Sequence, residues 1–311
     1  MMGNQTQNIQ QAARLIRAGK LVAFPTETVY GLGGDATSDA AVASIYEVKG
    51  RPSFNPLIVH MHSIRQATEY VQLTPLAKKL AASFWPGPLT MVLRRGPECA
   101  LSLLVSAGLD TLAVRVPDSA LAQEFLRACN VPLAAPSANR SGRISPTTAQ
   151  HVEEELSTKV AKILDGGPCT AGLESTVVDA TGDVPVLLRH GIITADMIRD
   201  VAGDVQFARA DSPISSPGML AKHYAPDTPM RLNATSVKGN EALLAFGNPI
   251  MGAKVTENLS PFGDLTEAAA NLFAMLRKLD AVDATCIAVM EIPNKGIGIA
   301  INDRLRRAAT R

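Results

Sequence analysis

The chain has 311 residues, which is long enough for two domains of ordinary size. Hydrophobic residues make up 46% of it and charged residues 19%, a composition that can bury a core and excludes an intrinsically disordered protein. Lysine and arginine (30) nearly balance aspartate and glutamate (29), which excludes a strongly basic nucleic-acid coat and a polyanionic tail, but not a local basic patch.

The cysteines and the N-terminal segment indicate where the protein works. Four cysteines lie 30 or more residues apart and form no CxxC pair: Cys99, Cys129, Cys169 and Cys286. This spacing gives neither a zinc ribbon nor a redox motif and favours a reducing compartment. The first twenty residues are polar and lack the apolar core of a signal peptide, and no apolar run approaches the ~20 residues of a membrane span. We therefore expect a cytoplasmic protein that does not contact membranes.

Apolar patterning predicts alternating helices and strands over the first two thirds of the chain. In chain order these are a helix at 8–18, a strand at 21–24, a helix at 38–48, a strand at 56–61, a helix at 74–84, strands at 90–94 and 111–116, a helix at 119–129, a strand at 131–135, a helix at 146–155, and strands at 162–165, 175–180 and 184–189. The last two strands are separated only by Thr-Gly-Asp, which predicts a hairpin and hence a mixed sheet. The fold class is therefore α/β or α+β.

The pattern changes after about residue 204. Residues 208–229 are rich in proline and serine and show no apolar period, as in a linker or a functional lid. Strands at 243–247 and 286–292 and helices at 265–280 and 300–311 then form a second pattern. We predict a catalytic domain over 1–204, a linker or lid over 205–229 and a small C-terminal α/β domain over 230–311.

Several familiar motifs are absent. No GxxxxGK[ST] occurs, which excludes a P-loop NTPase, and neither GLGGD (31–35) nor GIGIA (296–300) completes a dinucleotide-binding GxGxxG. GxSxG, HExxH and HRD are also missing. His60 and His62 could place two imidazoles on one face of a strand, but a lone HxH is weak evidence for a metal site.

Four segments concentrate polar, glycine and proline residues where apolar strands end: 25–33, 49–60, 135–147 and 172–179. Loops at strand ends are where binding sites are usually built. Each segment alone is better explained as a turn with capping residues. Together, with cations in two of them and hydroxyls in all, they favour a binding site.

Four cations lie beside or within apolar strands: Lys49, Arg51, Arg115 and Arg189. An isolated buried charge costs several kcal/mol, so each cation needs an anionic partner. That partner is either an internal carboxylate, such as Asp165 or Glu174, or a bound carboxylate or phosphate. Neutral groups suited to phosphate or ribose recognition follow in one segment: Ser137, Asn139, Ser141 and Ser145.

The same segments closely resemble the YrdC-like family of threonylcarbamoyl-AMP synthases. PTETVYGLG, KGRPxxNPLIVH, FWPGPLT (84–90), PSANRSGRxSPT and ESTVVD match the pattern of its catalytic domain. SPGMLAKHYAP (216–226) and AINDRLRRAA (300–309) are similar to the linker and the C-terminal end of the long, two-domain form. The resemblance implies a twisted mixed sheet with flanking helices, followed by a smaller Rossmann-like α/β domain.

The resemblance also implies an activity. In that family, ATP, bicarbonate or CO2 and L-threonine give L-threonylcarbamoyl-AMP and pyrophosphate, for threonylcarbamoyladenosine modification of tRNA next to the anticodon. The expected enzyme is a nucleotidyltransferase whose Mg2+ arrives with ATP and is held mainly by the phosphates, with no metal ligands from the protein. Its expected partners are downstream tRNA threonylcarbamoyl-transfer proteins, with weak contact to tRNA itself.

Site residues follow from the resemblance position by position. The family's KxR…SxN signature, with its catalytic role, falls on Lys49, Arg51, Ser137 and Asn139. ATP contacts are implied for Arg51, Asn55, Thr111, Ser137, Ser145, Arg189 and, in the linker, Tyr224. L-Threonine contacts are implied for Thr28, His60, Arg115, Ser175 and the backbone at Ala135. The sequence departs from the family pattern at His190, where proline is usual, and at Leu220 and Ala221, where linker residues are more polar.

Two other functions fit part of the sequence. A double-stranded RNA or tRNA-binding module would also need loop cations, and the C-terminal end is basic. The net charge of +1 and the 4% of aromatic residues disfavour a general RNA binder. A related carbamoyl-adenylate enzyme with another amine substrate would keep the same fold and signature.

Overall fold

Helices and strands alternate along both parts of the chain. The structure, a computed structural model, describes residues 2–208 and 223–310. The helices in these ranges are α1 (Met2–Arg17), α2 (Asp39–Lys49), α3 (Ile64–Thr68), α4 (Pro75–Phe84), α5 (Ala120–Cys129), α6 (Ala149–Leu156), α7 (Ala195–Ala202), α8 (Leu265–Asp280) and α9 (Ile297–Ala309). The strands are β1 (Val22–Phe24), β2 (Gly31–Asp35), β3 (Ile58–His60), β4 (Leu89–Arg94), β5 (Thr111–Arg115), β6 (Leu133–Ala134), β7 (Lys162–Ile163), β8 (Thr176–Asp179), β9 (Val186–Arg189), β10 (Gln206–Phe207), β11 (Met230–Arg231), β12 (Ala242–Ala245), β13 (Val255–Asn258) and β14 (Ile287–Val289). None of the helices in these ranges is long and apolar enough to span a bilayer.

The first ten strands form one sheet, in the order β10-β9-β8-β4-β5-β3-β6-β2-β1-β7. Strands β3 and β5, and β4 and β8, pair in parallel, whereas β1 and β2, and β8 and β9, pair antiparallel. The predicted hairpin and the predicted mixed α/β sheet are therefore confirmed. Because β3 and β5 run in parallel, their carboxyl ends meet, and His60 lies opposite Arg115.

Helix α2 shows how local sequence fixes an element that leads into the polar segments. The Ser38 side chain accepts a hydrogen bond from the Ala41 N–H, and Gly50 ends the helix in the left-handed region with φ of 60°. Both ends agree with the sequence prediction. Lys49 consequently lies in the last turn, directly before the segment that contains Arg51.

The C-terminal part has its own sheet of parallel strands, in the order β11-β14-β12-β13. Leu272 and Phe273 of α8 and Ile301 of α9 share a buried cluster with Leu244 of β12 and Val289 of β14. The helix predicted at 265–280 coincides with α8, because its apolar stripe and its Asp264 cap are both local signals. This is the smaller α/β domain that the sequence predicts.

Six elements of the structure are not predicted from the sequence pattern: β2, α3, α7, β10, β11 and β13. Strand β2 has the sequence GLGGD, in which glycines conceal the alternation of a strand. These glycines leave room for an aromatic side chain, since a Cβ on Gly33 would lie 2.9 Å from the ring of Phe24. The strands β10 and β11 have two residues each, too few to establish a period.

The predicted linker, residues 205–229, is only partly described. Residues 209–222 lie outside the described residues, and these include most of the SPGMLAKHYAP signature with Leu220 and Ala221. At the start of the predicted linker, β10 still pairs with β9, so the first sheet extends to Phe207. At its end, the Ala225 N–H donates to the Gly142 carbonyl at 2.8 Å.

The two sheets are joined by a buried interface. Val29, Ile144 and Leu173 from the first part belong to the same apolar cluster as the α8 residues Leu272 and Phe273. Two ion pairs cross the interface: Arg277 with Glu155 at 2.5 Å, and Arg304 with Glu174 at 3.1 Å. The C-terminal domain therefore packs directly against the segments that line the site described below.

Gly172 lies where the loop before β8 touches α8. Its φ is +67°, and a Cβ there would lie 2.4 Å from the Ala270 carbonyl oxygen and 2.6 Å from that of Ala269. Gly172→Ala would therefore combine backbone strain with a clash against backbone, and we expect it to lower the free energy of unfolding by ~2 kcal/mol. Urea unfolding measures this change.

Gly182→Ala is the matched control for this substitution. Gly182 lies between β8 and β9, and an added Cβ has nothing within 4 Å. We expect the free energy of unfolding of this variant to lie within ~0.5 kcal/mol of that of the natural chain. Equal stability of the two variants would contradict the close contact at Gly172.

Candidate active site

All four polar segments meet around one cavity. It is lined by Thr26, Thr28, Val29, Gly31, Arg51, Ile58, His60, Arg115, Ala135, Pro136, Ser137, Glu174, Ser175, Arg189, His223 and Tyr224. The first sheet supplies most of this wall from the ends of β3, β5 and β9 and from the loops beside them. The end of the predicted linker supplies His223 and Tyr224. The cavity therefore brings together residues that are far apart in the sequence, including nine of the residues that the resemblance implies.

Arg51 and Arg189 are held in place from one side by neutral acceptors. Arg51 Nε donates to the Asn55 carbonyl at 3.1 Å, and its Nη2 donates to the Pro56 carbonyl at 2.9 Å. Arg189 Nε donates to the Ser175 carbonyl at 3.0 Å, and its Nη2 donates to Ser175 Oγ at 3.1 Å. Burial lowers the pKa of Arg51 to about 10, so that it remains charged at neutral pH. These contacts orient both guanidinium groups through neutral oxygen atoms.

Arg115 has an internal carboxylate partner, Glu27. Arg115 Nη2 lies 2.5 Å from Glu27 Oε1, in an ion pair that lacks the alignment of a hydrogen bond. Sequence reasoning considered Asp165 or Glu174 for this role. Instead, Asp165 accepts a hydrogen bond from the Tyr30 hydroxyl at 3.3 Å. Glu27 could have been found, because it is the one acidic residue within the segment 25–33.

A chain of hydrogen bonds extends from Arg115 along the threonines of the first segment. Arg115 Nη1 donates to Thr28 Oγ1 at 2.8 Å. Thr26 Oγ1 donates to the Val29 carbonyl at 2.7 Å, so in the 2.8 Å contact between the two threonines Thr28 is the donor. Thr28 is thereby fixed with one lone pair left for a ligand.

Lys49 lies behind the cavity and joins the two halves of the KxR…SxN signature. Its Nζ donates to the Ser137 carbonyl at 2.5 Å and to the Asn139 carbonyl. Burial and the nearby Arg51 charge lower the pKa of Lys49 to about 7. The Asn139 side chain points its amide at the Arg140 and Arg143 carbonyls, at 2.9 Å each. Lys49 and Asn139 thus hold the loop that carries Ser137.

His60 is neutral in this environment. Burial and the charge of Arg115 lower its pKa to about 3, and the edge of the Phe24 ring packs against it with 6.0 Å between ring centres. Its Nδ1 has no hydrogen-bond partner among the described residues. At Ala135, the N–H donates to the Ile58 carbonyl at 2.9 Å, so the backbone group left for a ligand is the carbonyl oxygen.

Five predicted site residues do not line the cavity: Lys49, Asn55, Thr111, Asn139 and Ser145. Thr111 begins β5 and Arg115 ends it, so the two are roughly 13 Å apart along the strand. Ser145 Oγ instead donates to Glu174 Oε1 at 2.5 Å. Asn55 is buried, and its Oδ1 has no partner in the described part of the chain.

The cavity also contains residues that sequence reasoning did not single out as ligand contacts: Thr26, Val29, Gly31, Ile58, Pro136, Glu174 and His223. Glu174 begins the ESTVVD motif, and His223 precedes Tyr224 in the linker signature. Both residues therefore lie in motifs that the sequence analysis had identified. His223 packs edge-on against Tyr224 with 4.0 Å between ring centres. Burial lowers the pKa of His223 to about 3.

Metal ligands are scarce around this cavity. Within residues 2–208 and 223–310, no group of three His, Cys, Asp or Glu side chains could hold a metal ion. Glu27 and Glu174 lie near the cavity, but each is paired with an arginine. The cavity therefore offers a cationic, hydroxyl-lined surface that suits an anionic ligand.

Both parts of the chain match models of known protein families. The Sua5/YciO/YrdC family model, described as "Telomere recombination", matches residues 14–191. A second model, described as "Threonylcarbamoyl-AMP synthase, C-terminal domain", matches residues 193–310. The two matches together cover both sheets.

Relatives of similar length and a solved structure agree with these matches. A threonylcarbamoyl-AMP synthase of Bacillus subtilis is 42% identical over 322 residues, which cover 97% of this chain and 92% of the relative. One of Pyrococcus abyssi is 39% identical over 320 residues, covering 97% and 94%. The crystal structure of P. abyssi Sua5 complexed with L-threonine is 38% identical, with a TM-score of 0.90 over 98% of this chain and 94% of that one. The chain therefore belongs to the Sua5/YciO/YrdC family, in the form that carries the Sua5 C-terminal domain.

Proposed function

We propose that this protein is an L-threonylcarbamoyladenylate synthase, a nucleotidyltransferase. It condenses L-threonine, bicarbonate or CO2 and ATP to threonylcarbamoyl-AMP and pyrophosphate, for threonylcarbamoyladenosine modification of tRNA. The observation that carries this proposal is the convergence of Arg51, Arg115 and Arg189 on one cavity lined with hydroxyls and a neutral histidine. The full-length relatives that bear the name of this enzyme support it.

The chemistry explains why the site is cationic. The threonine amine adds to CO2 and releases a proton to solvent, which gives a carbamate. The carbamate oxygen attacks the α-phosphorus of ATP while pyrophosphate leaves. Both reactants are anionic, so the site must neutralise charge before they can approach. Arg51 and Arg189 do this for the phosphates, assisted by Ser137. Positioning supplies most of the remaining acceleration, and no protein nucleophile takes part.

The other end of the cavity suits threonine. Arg115 and Ser175 present donors to its carboxylate, and the Ala135 carbonyl accepts from its amine. Thr28 and the neutral His60 are the groups available to its hydroxyl. A neutral imidazole can donate from one nitrogen and accept at the other, which allows it to recognise a hydroxyl without adding charge.

Magnesium belongs to the substrate in this proposal. ATP brings Mg2+ bound to its phosphates, because the described residues hold no carboxylate cluster for it. The phosphates therefore supply most of its ligands, with water completing the octahedron.

The acyl adenylate hydrolyses readily, so it must be protected and then transferred. His223 and Tyr224 form one wall of the cavity, where they would shield the product from water. We propose that tRNA threonylcarbamoyl-transfer proteins receive the product and that the reaction takes place in the cytoplasm. The four free cysteines support a reducing compartment.

A direct assay tests the function. The protein is incubated with ATP, bicarbonate and L-threonine without RNA, and pyrophosphate and threonylcarbamoyl-AMP are measured by mass spectrometry. Formation of both is expected. Binding of tRNA without pyrophosphate release would favour an RNA-binding module, and turnover with another amino acid but not threonine would identify a different amine substrate.

Arg51→Met is expected to lower kcat for pyrophosphate release at least ~100-fold, because one electrostatic contact to the transition state contributes ~2.7–4 kcal/mol. Steady-state kinetics at saturating threonine measure the effect. Arg65→Met is the control, since Arg65 is exposed on α3. Equal turnover of the two variants would refute the role of Arg51.

Thr28→Val is expected to raise the KM for threonine ~10-fold or more while the KM for ATP stays unchanged. The substitution keeps the shape of the side chain but removes the hydroxyl that Arg115 donates to, and a hydrogen bond to a charged group contributes ~1.5–3 kcal/mol. Kinetics with each substrate varied in turn measure the two constants. An equal rise in both would show a general disturbance of the site rather than a threonine contact.

ATP affinity should weaken as pH rises through about 7, because Lys49 then loses its proton in the free enzyme. The charges that bear on Lys49 are those of Arg51 and Glu155, and His223 stays neutral over this range. The Kd of a non-hydrolysable ATP analogue, measured by calorimetry from pH 6.5 to 9, should be flat below the break and rise above it. Lys49→Met should bind more weakly and show no break; a break at the same pH in this variant would assign the titration to another group.

A further inference from the structure

One side chain of the C-terminal domain reaches into the wall of the cavity. Arg304, in α9, is completely buried. Its Nε donates to Glu174 Oε2 at 3.1 Å, and its Nη1 donates to the His190 carbonyl at 2.7 Å and to Asp303 Oδ2 at 3.1 Å. Glu174 lines the cavity and precedes Ser175, while His190 follows Arg189. Arg304 therefore contacts the loop after Arg189, where we expect the phosphates, and the segment that carries Ser175, where we expect threonine.

Glu174 needs this contact. Its Oε1 accepts from Ser145 Oγ at 2.5 Å, and the pKa of its carboxyl lies below the usual range despite burial, because of the charges of Arg304 and Arg189 and the Ser145 hydroxyl. Glu174 is thus a carboxylate at neutral pH, in a cavity that must receive anions. Without a cation of its own it would repel the phosphates and compete with them for Arg189.

Arg304 also contacts the linker end of the cavity. Its guanidinium lies 5.6 Å from the centre of the Tyr224 ring, and this ring stacks on Phe273 of α8 with 5.5 Å between centres. Tyr224 is buried and lines the cavity. A single guanidinium therefore joins the carboxylate, the loop after Arg189 and the aromatic wall.

We propose that Arg304 is a positioning residue of the active site, supplied by the C-terminal domain, which neutralises Glu174 and so keeps the cavity cationic for ATP. This proposal rests on the proposed function for the identity of the anion. It gives the C-terminal domain a defined task, which is to complete the charge balance of a site built on the other domain.

A charge-rescue experiment on the full chain tests this role. Arg304→Met leaves Glu174 charged and without its partner, so the Kd of a non-hydrolysable ATP analogue and the KM for ATP should both rise at least ~10-fold, with a smaller change in kcat. In the double variant with Glu174→Gln, the repelling charge is gone, and both constants should return to within ~3-fold of those of Glu174→Gln alone. A double variant as weak as Arg304→Met would overturn the proposal.

Two further variants separate charge from packing. Arg231→Met breaks an ion pair with Glu241 inside the C-terminal domain, away from the cavity, and should leave the Kd unchanged. Arg304→Lys keeps the charge but places it on a single nitrogen, and this variant should bind the analogue within ~3-fold of the natural chain. If Arg304→Met fails to fold, the test rests on Arg304→Lys. A folded Arg304→Lys protein that no longer binds the ATP analogue would overturn the role of charge.

Failure of the proposed function gives a different result. A protein that releases no pyrophosphate but binds the ATP analogue, with the rescue pattern intact, would contradict the synthase and retain the role of Arg304. Pyrophosphate release without rescue in the double variant would support the synthase and contradict the role of Arg304.

Discussion

An excess of buried positive charge is the constraint on which this structure depends. Five cationic side chains lie in or beside the cavity: Lys49, Arg51, Arg115, Arg189 and Arg304. Among the described residues, three carboxylates form ion pairs with them: Glu27 with Arg115, and Glu174 and Asp303 with Arg304. Much of the remaining stabilisation comes from backbone carbonyls, which orient a cation without neutralising it. The fold therefore preserves an electrostatic attraction that an anionic reactant can satisfy, whereas a full set of internal ion pairs would have removed it.

The domain interface is part of this arrangement. Apolar residues of both domains form one buried cluster, which includes Val29 beside the cavity and Phe273 under Tyr224. The linker end is fastened nearby, because the Ala225 N–H bonds to the Gly142 carbonyl and Arg143 pairs with Asp227. The cavity thus has walls from the first domain and from the end of the linker. The second domain packs behind these walls.

Local signals were sufficient for much of the fold. The caps of α2, the apolar stripe of α8 and the short turn between β8 and β9 act over a few residues, so the sequence predicts these elements closely. Strand β2 was missed because its glycines carry no alternation. The four polar segments predicted the walls of the cavity, but the partner of Arg115 was predicted wrongly, since pairing between distant segments depends on register and not on spacing. Arg304 appeared only as part of a basic terminus, and its burial follows from docking.

The glycines of strand β2 affect the cavity through the side chain of Phe24. The Phe24 ring lies over Gly31 and Gly33 on one side and presents its edge to His60 on the other. A methyl group added at Gly33 would push this ring, and the ring would push the imidazole. The bare stretch of β2 therefore works as a spacer behind one wall of the cavity, because it leaves the room in which Phe24 supports His60.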